Sequence, residues 1–447
     1  MILKRNNRLN SHHSSALAIR MKPCKTSNFI CVTIFRGNDV NLIILAIMDR
    51  RKNPYAPGAG LQPPELAGRD KLLEEATIDM DRVLDKRPAK GMMILGLRGV
   101  GKTVLLNRLY GLAEEKGIRA AKVEAPEGGL LPQLLAPELR QVLYSLDLKA
   151  ATGHKLHRAA SVLRNFVSVF KVKVGDIEIG IDPARGEADT GNLEQDLPDL
   201  LVAVCEAAKE RNVALGIFLD EVQYLSSHEL ASLIVACHEV AQRNLPLFFV
   251  GAGLPQIAAL AGNAKSYAER LFTYPEVGQL DAQAARAALV HPARIEGVDF
   301  EDGAVGEILR VTERYPYFIQ EWGFHVWNAA PKSPILKSDV QQATPGVIAH
   351  LDANFFRVRF DRLTPLQQKY LRAMAELGSG PHQTGDIAST LGVEARAVAT
   401  VRQQLINKGM VWSQRHGETA FTVPLFNEFM MRQMPRLEKH EPRRRTH

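Results

Sequence analysis

The chain has 447 residues, of which 46 % are hydrophobic and 23 % are charged, and its net charge is +7. The length predicts two or three domains, and the composition is that of a globular protein, which excludes a disordered or fibrous chain. The four cysteines have no spacing typical of a metal site or a disulfide framework, so we expect free thiols in a reducing cytoplasm.

The positive charge is concentrated at the two ends of the chain. Residues 1–47 have a net charge of +6, and residues 363–447 have twelve basic and seven acidic residues. The stretch between them is therefore acidic, with a net charge of −4. Any basic surface for nucleic acid belongs to the C-terminal part.

The first 47 residues contain two apolar runs, but polar residues interrupt both. Neither run reaches the roughly 18 residues that a membrane span requires. No small-residue cleavage site follows a clean apolar core, as it would in a signal peptide. We expect residues 1–47 to be disordered or a non-native extension, with Met48 as a candidate start, and we expect no membrane association.

From residue 48 to about residue 280, short apolar runs alternate with helical patterns. A Pro- and Gly-rich lead-in at 50–67 comes before a predicted helix at Asp70–Leu84. Buried strands are predicted at Met92–Leu97, Ala120–Val123, Leu215–Leu219 and Pro246–Val250. This alternation predicts an α/β fold with a three-layer αβα arrangement around a parallel sheet. Alternating residues at 165–182 predict a β-hairpin insertion.

The segment Gly96–Thr103 fits the P-loop (Walker A) pattern GxxxxGK[ST] and lies between an apolar strand and a helix. Its glycines let backbone N–H groups surround phosphate oxygens at a helix N-terminus. Lys102 is expected to reach the β- and γ-phosphates of ATP, and Thr103 to bind Mg²⁺. The predicted nucleotide-binding residues of this loop are Gly96, Leu97, Arg98, Gly99, Val100, Gly101, Lys102, Thr103 and Val104.

A second candidate motif (Walker B) follows about 120 residues later, where an apolar strand ends in Asp220 and Glu221. Asp220 is predicted to hold the metal, directly or through water. Glu221 is predicted to orient or deprotonate the attacking water. Such a pair alone is more often the start of a solvated loop, but together with the P-loop it indicates ATP hydrolysis to ADP and phosphate.

With these motifs the chain resembles AAA+ ATPases, in particular the replication-initiator (origin-recognition) branch and the related archaeal-type, STAND-like ATPases. It also resembles a bacterial family of uncharacterised ATP-binding proteins with this domain order. The matching segments are Glu65–Asp70, the P-loop, Leu219–Tyr224, Tyr267–Phe272 and Arg314–Gln320. The resemblance covers about residues 55–430 and implies an ATPase core at 48–280 and a helical lid domain at 281–350.

The resemblance also implies roles for further residues. Gly68 and Arg69 would form the adenine side of the pocket. Arg270 would be an arginine finger acting on a neighbouring subunit, which implies a homo-oligomer, although an ordinary surface arginine is the alternative. Relatives place a polar sensor after the strand at Pro246–Val250, whereas this chain has Gly251-Ala252-Gly253. The hydrolysis rate is therefore in question, and Gln223 and Gln256 are the candidates to replace the sensor.

Residues 351–435 predict three helices followed by two short strands, an order similar to a winged helix-turn-helix domain. A basic tail follows at 436–447. The candidate base contacts are Arg396, Thr400, Gln403 and Gln404, and the candidate phosphate contacts are Arg402 and Lys408. Arg415 and His416 would lie at the tip of the wing. Winged helices also serve as protein-docking modules, so this alternative stays open.

These observations predict a Mg·ATP-dependent ATPase that acts as a nucleotide-gated switch and binds double-stranded DNA through its C-terminal domain. The alternative is a signalling adaptor that hydrolyses ATP slowly and binds protein partners.

Overall fold

The computed structural model describes residues 48–58, 60–146, 154–173, 186–413 and 417–437, together with the backbone of three strands before residue 47. These strands pair antiparallel in chain order and are β1 (Leu17–Pro23), β2 (Phe29–Arg36) and β3 (Asp39–Ala46). They differ from the disorder expected for residues 1–47. That this stretch is an extension outside the native protein stays a prediction.

A five-stranded parallel sheet forms the centre of the first domain. Its strands are β4 (Gly91–Leu95), β5 (Arg119–Glu124), β6 (Leu215–Asp220), β7 (Leu247–Gly253) and β8 (Phe272–Thr273). Their order is β5-β6-β7-β4-β8, and every neighbouring pair is parallel. In β4, Met92 and Ile94 belong to one hydrophobic core, while Met93 and Leu95 belong to the other. Both faces are therefore covered, which confirms the predicted α/β fold.

Eight helices accompany the sheet in the described part of the core. They are α1 (Asp70–Leu84), α2 (Lys102–Glu115), α3 (Leu131–Ser145), α4 (His154–Val169), α5 (Leu193–Glu210), α6 (Ser227–Gln242), α7 (Ile257–Ala264) and α8 (Ala268–Leu271). The hairpin predicted at 165–182 is wrong over 165–169, which end α4. Leu163 and Phe166 are buried at helical spacing, a pattern that a short alternating run does not exclude. Residues 174–185 lie outside the described residues.

A second group of helices follows the core. It contains α9 (Ala282–Ile295), α10 (Asp302–Val311), α11 (Pro316–Ala329) and α12 (Lys337–Leu351). Asp281 starts α9, since its side chain accepts a hydrogen bond from the Ala284 N–H at 2.7 Å. The lead-in packs on this group: Tyr55 is buried, and its hydroxyl donates to the Leu289 carbonyl at 2.5 Å.

The C-terminal part begins as a direct continuation of α12 through a π-helical turn, Asp352–Phe356. Its helices are α13 (Arg357–Phe360), α14 (Pro365–Leu377), α15 (Thr384–Leu391), α16 (Ala395–Asn407) and α17 (Phe426–Gln433). A small antiparallel sheet has the order β10-β11-β9 and contains β9 (His382–Gln383), β10 (Val411–Trp412) and β11 (Glu418–Phe421). Thr364 caps α14 by accepting from the Gln367 N–H, as the sequence predicts.

One hydrophobic core runs from the α2 side of the large sheet through α9–α12 into the C-terminal helices. Phe356 in the π-helical turn is central to it, with ring centroids 6.4 Å from Phe318 and 5.3 Å from Phe429. The C-terminal part is therefore packed on the helical group. Among the described residues, no helix is both long and apolar enough to cross a bilayer.

We expect Gly323→Ala to destabilise the protein. A Cβ at this position would lie 2.6 Å from the buried Tyr55 ring, whereas a Cβ at Gly346, in the neighbouring helix, meets nothing within 4 Å. Overpacking should lower the free energy of unfolding by about 1–3 kcal/mol. Gly346→Ala is the matched control and should raise it by about 0.5–1 kcal/mol through helix propensity. Urea unfolding measures both, and equal effects would contradict the packing of Tyr55 on α11.

Candidate nucleotide-binding site

The P-loop connects β4 to α2 and begins at the carboxyl end of the strand. Gly99 and Gly101 have φ angles of 81° and 89°, a left-handed region that favours glycine. A Cβ at Gly96 would lie 2.4 Å from the Val277 carbonyl oxygen. Gly99 and Gly101 are therefore required by the backbone conformation of the loop, and Gly96 by its close contact with Val277.

Lys102 lies at the start of α2 and is 7 % exposed. Its Nζ donates to the Leu97 carbonyl within the loop at 2.9 Å. Burial lowers the pKa of Lys102, the carboxylates of Glu221 and Asp220 act in the opposite direction, and the nearby Arg98 lowers it further. The ammonium group is thus held inside the loop, where phosphate oxygens could replace the single carbonyl oxygen.

Thr103 and Asp220 meet across the sheet edge. The Thr103 hydroxyl donates to Asp220 Oδ2 at 2.6 Å, and Asp220 Oδ1 accepts from the Glu221 N–H at 2.8 Å. Asp220 is only 3 % exposed, and burial raises its pKa, while its hydrogen bond from Thr103 acts in the opposite direction. The Thr103 hydroxyl oxygen and the buried Asp220 carboxylate are neighbouring oxygen ligands, and Mg²⁺ prefers such ligands.

Glu221 has a left-handed backbone conformation, with φ 55° and ψ 39°, which turns the chain sharply after β6. The Gln223 side-chain amide donates to Glu221 Oε2, and its Oε1 accepts from the Leu254 N–H at 3.1 Å. Gln223 therefore joins the predicted water-orienting carboxylate to the end of β7, whereas Gln256 has a buried Oε1 with no hydrogen-bond partner among the described residues.

Gly253 explains why the chain has no polar residue at the expected sensor position. A Cβ there would lie 2.3 Å from Gln223 Oε1, so only glycine leaves room for this amide. The Gly-Ala-Gly segment accommodates Gln223 next to Glu221. This relation is invisible in the sequence, because it depends on the pairing of β6 with β7.

A cleft lies over the P-loop, and its volume is about 1370 Å³ when the part open to solvent is included. The lead-in, which the sequence indicates only as extended, forms one wall with Ala56–Gly58, Gly60, Leu61 and Leu66. Arg69 lines the cleft and donates to the Gly278 carbonyl at 2.8 Å. Gly68 does not line it; a Cβ at Gly68 would lie 2.8 Å from Ala284 Cβ, so this glycine brings the lead-in close to α9.

Two arginines face the cleft from different parts of the chain, and sequence reasoning missed the role of the second. Arg98 belongs to the P-loop, while Arg359 lies in α13. Neither guanidinium has an ion pair with a carboxylate among the described residues, and the Nε atom of each is buried without a hydrogen-bond partner. Burial lowers the pKa of Arg359 to about 10, and Arg98 adds to this effect.

Contacts with Phe355 hold the Arg359 guanidinium in the cleft. It lies 3.9 Å from the centroid of the Phe355 ring and donates to the Phe355 carbonyl at 2.6 Å. Phe355 in turn stacks on Tyr317, with centroids 4.7 Å apart, and the Tyr317 N–H donates to the Gly99 carbonyl at 3.2 Å. Arg359 is thus a half-buried cation next to a second cation and without a carboxylate partner among the described residues, so an anion in the cleft would stabilise it.

The remaining predicted residues lie away from the cleft. Arg270 is exposed in α8. On α16, Arg396, Thr400 and Gln403 are exposed at helical spacing. Arg402 is instead bound to the small sheet, with its Nε 2.8 Å from Thr419 Oγ1, and Lys408 Nζ donates to the Arg362 carbonyl at 2.9 Å. Arg415 lies outside the described residues.

Comparisons with known families agree with this geometry. Residues 65–250 match the model of the AAA ATPase domain, and residues 353–430 match a domain of unknown function. The first match includes the P-loop and both carboxylates, so this part of the chain is an AAA+ P-loop ATPase domain. No curated protein matches the chain.

Among solved structures, the Walker-type ATPase PABY2304 of Pyrococcus abyssi is similar, with a TM-score of 0.53, 14 % identity, and coverage of 83 % of this chain and 97 % of that one. At this identity the likeness shows the fold alone. The Aeropyrum pernix ORC2 protein matches with a TM-score of 0.47 and 16 % identity, covering 87 % of this chain and 100 % of that one. The Thermotoga maritima RuvB Holliday junction branch migration motor matches with a TM-score of 0.43 and 15 % identity, covering 86 % of this chain and 100 % of that one.

Lys102→Ala and Glu221→Gln should separate binding from hydrolysis. Loss of the Lys102 charge should weaken ATP binding about 10- to 100-fold, because hydrogen bonds to charged groups contribute about 1.5–3 kcal/mol each. Glu221→Gln should leave binding intact and lower turnover about 10²- to 10⁴-fold. Calorimetric titration and phosphate release measure the two quantities. Retained turnover in the Glu221 variant would remove its assigned role.

Gly253→Ala should impair hydrolysis without weakening ATP binding, because the new Cβ displaces Gln223 from Glu221. We expect turnover to fall about 10- to 100-fold, as small misplacements of catalytic groups do. Gly262→Ala, in α7, is the control, since its Cβ would meet nothing closer than 3.7 Å. Equal turnover in the two variants would show that the Gln223 contact is unimportant.

Proposed function

We propose that this ATPase is a Mg·ATP-dependent switch, in which the C-terminal domain senses the nucleotide at the P-loop and presents α16 to double-stranded DNA. The proposal assigns to residues 351–435 a winged-helix role and to residues 281–350 the role of a lid. Its main support is one observation: Arg359, which follows α12 in the chain, lies in the nucleotide cleft beside Arg98.

The residues at the sheet edge fit Mg·ATP. The Thr103 hydroxyl and the Asp220 carboxylate, 2.6 Å apart, would hold Mg²⁺, which neutralises phosphate charge when bound. Lys102 would contact the terminal phosphates. Glu221, fixed by Gln223, would orient the attacking water.

The contact between the domains supports a switch. A Cβ at Gly409, just after α16, would lie 2.8 Å from an Arg98 guanidinium nitrogen and 3.2 Å from the Leu254 side chain. Arg98 also donates to the Tyr224 hydroxyl at 2.8 Å. The C-terminal domain therefore touches both the P-loop and the segment that follows β7. Phosphate oxygens would attract Arg98 and Arg359, and this attraction would change the contact between the domains.

The DNA part of the proposal depends on α16. The strand β9 lies between α14 and α15, and β10 and β11 follow α16, an order of helices and strands similar to that of a winged helix. Arg396, Thr400 and Gln403 form the exposed row that would enter a major groove. Arg402 and Lys408 are occupied by contacts within the domain, so we assign them structural roles first.

Assembly is a further part of the proposal. The exposure of Arg270 in α8 is compatible with an arginine finger that reaches the γ-phosphate of a neighbouring subunit. This role for Arg270 stays a prediction, and so does a homo-oligomer.

The proposed gating is tested by fluorescence anisotropy of mixed-sequence duplex DNA with the full chain, with ATP, ADP and no nucleotide, at two salt concentrations. We expect salt-dependent binding that changes with the nucleotide. Arg359→Ala should keep DNA binding but make it equal in all nucleotide states. Arg357→Ala, two residues away and exposed, is the matched control and should behave like the unmodified chain.

Arg396→Ala reports on the DNA contact itself. It should weaken binding in every nucleotide state by about 1–3 kcal/mol if the guanidinium contacts a base. DNA binding that ignores the nucleotide would refute gating. No binding in any state would refute the DNA function and favour an adaptor that binds protein partners.

A further inference from the structure

We infer that Glu321, His325 and His350 form a binding site for one divalent transition-metal cation of the Zn²⁺ class. Glu321 and His325 are one helical turn apart on α11, and His350 lies near the end of α12. The ligand atoms of the three side chains all lie within 4.8 Å of one another. The cluster is separate from the Mg·ATP residues, and the inference does not depend on the proposed function.

The carboxylate of Glu321 gives the independent reason to expect a cation. Glu321 is 3 % exposed. Its Oε1 accepts a hydrogen bond from the Tyr317 hydroxyl at 2.6 Å, but Oε2 is buried and has no hydrogen-bond partner among the described residues. Oε2 lies 3.6 Å from His325 Nε2, so the unsatisfied oxygen is directed toward the imidazoles. A bound cation would satisfy it.

The donor set selects the kind of cation. Two imidazoles with one carboxylate are typical of zinc sites, while Mg²⁺ and Ca²⁺ prefer oxygen ligands. Tetrahedral coordination at about 2.0–2.2 Å holds ligand atoms roughly 3.5 Å apart, so the site must contract slightly. His350 is exposed and can turn inward, and its exposure leaves a fourth position for water.

Outer contacts hold two of the ligands in the absence of metal. The Asn354 side-chain nitrogen lies 3.2 Å from both His350 Nδ1 and the His350 carbonyl oxygen, so the exposed His350 ring must turn away from Asn354 when it binds the metal. The Tyr317 hydroxyl fixes Glu321 from the other side. Such outer hydrogen bonds on ligating histidine and carboxylate groups are usual at metal sites.

The test is a titration of the untagged full-length chain, first freed of metal by a chelator that is then removed, with Co²⁺ in the absence of nucleotide and Mg²⁺. We expect the visible absorption of tetrahedral Co²⁺ to saturate at one equivalent and to be displaced by Zn²⁺. His350→Ala and Glu321→Gln should each weaken binding at least about tenfold. His228→Ala, at an exposed histidine of α6, is the control and should bind normally.

Each alternative result has a defined meaning. His350 is exposed, so His350→Ala should fold, and its thermal unfolding without metal should match that of the unmodified chain. Zn²⁺ should raise the unfolding temperature of the control but not of this variant. Absence of the visible band, or equal affinity in the His350 and His228 variants, would overturn the inference. A thiolate–Co²⁺ charge-transfer band would assign the metal to cysteines and would also overturn it.

Discussion

The position of β7 between β4 and β6 is the constraint on which the nucleotide site depends. The P-loop follows β4, and the two carboxylates are the last residue of β6 and the residue after it, so the two halves of the site face each other across the end of β7. The space there is limited by the strand spacing of about 4.8 Å. Thr103 and Asp220 meet in it at 2.6 Å, and a larger residue at Gly253 would obstruct Gln223. The small residues at the end of β7 follow from this order.

The charges in the cleft lie close together because the P-loop and the end of β6 face each other across β7. Lys102, Arg98, Arg69 and Arg359 place four cationic groups around the cleft, and the carboxylates of Asp220 and Glu221 lie close to Lys102. Arg359 is stabilised by an aromatic ring and a carbonyl oxygen, which are weaker partners for a guanidinium than an anion. The cationic groups of the cleft would therefore be neutralised by a bound polyphosphate. One of these groups, Arg359, belongs to the C-terminal part.

Most of what the sequence predicts correctly is local. The strands β4–β7, the P-loop, the Asp220–Glu221 pair and the cap of α14 each depend on neighbouring residues, and the structure has them close to the expected places, whereas the two-residue strands β8 and β9 have no signal in the sequence. Arg359 could not be found, because it lies more than 250 residues after the P-loop and approaches it only through tertiary packing. The role of Gln223 required the pairing of β6 with β7. The hairpin prediction over 165–169 was wrong because a short alternating run also fits one buried face of a helix.

The π-helical turn at Asp352–Phe356 has a mechanical consequence. It joins α12 to α13 without a break, so residues 337–360 form one helical rod roughly 36 Å long at about 1.5 Å per residue. His350 and Arg359 lie on this rod, and α14 is attached to its end. The two residues lie on opposite sides of the π-helical turn, with His350 before it in α12 and Arg359 after it in α13. Because proline residues and π-helical turns both depart from the regular α-helical hydrogen bonding, Pro345 and this turn are the two places where the helix axis can change direction.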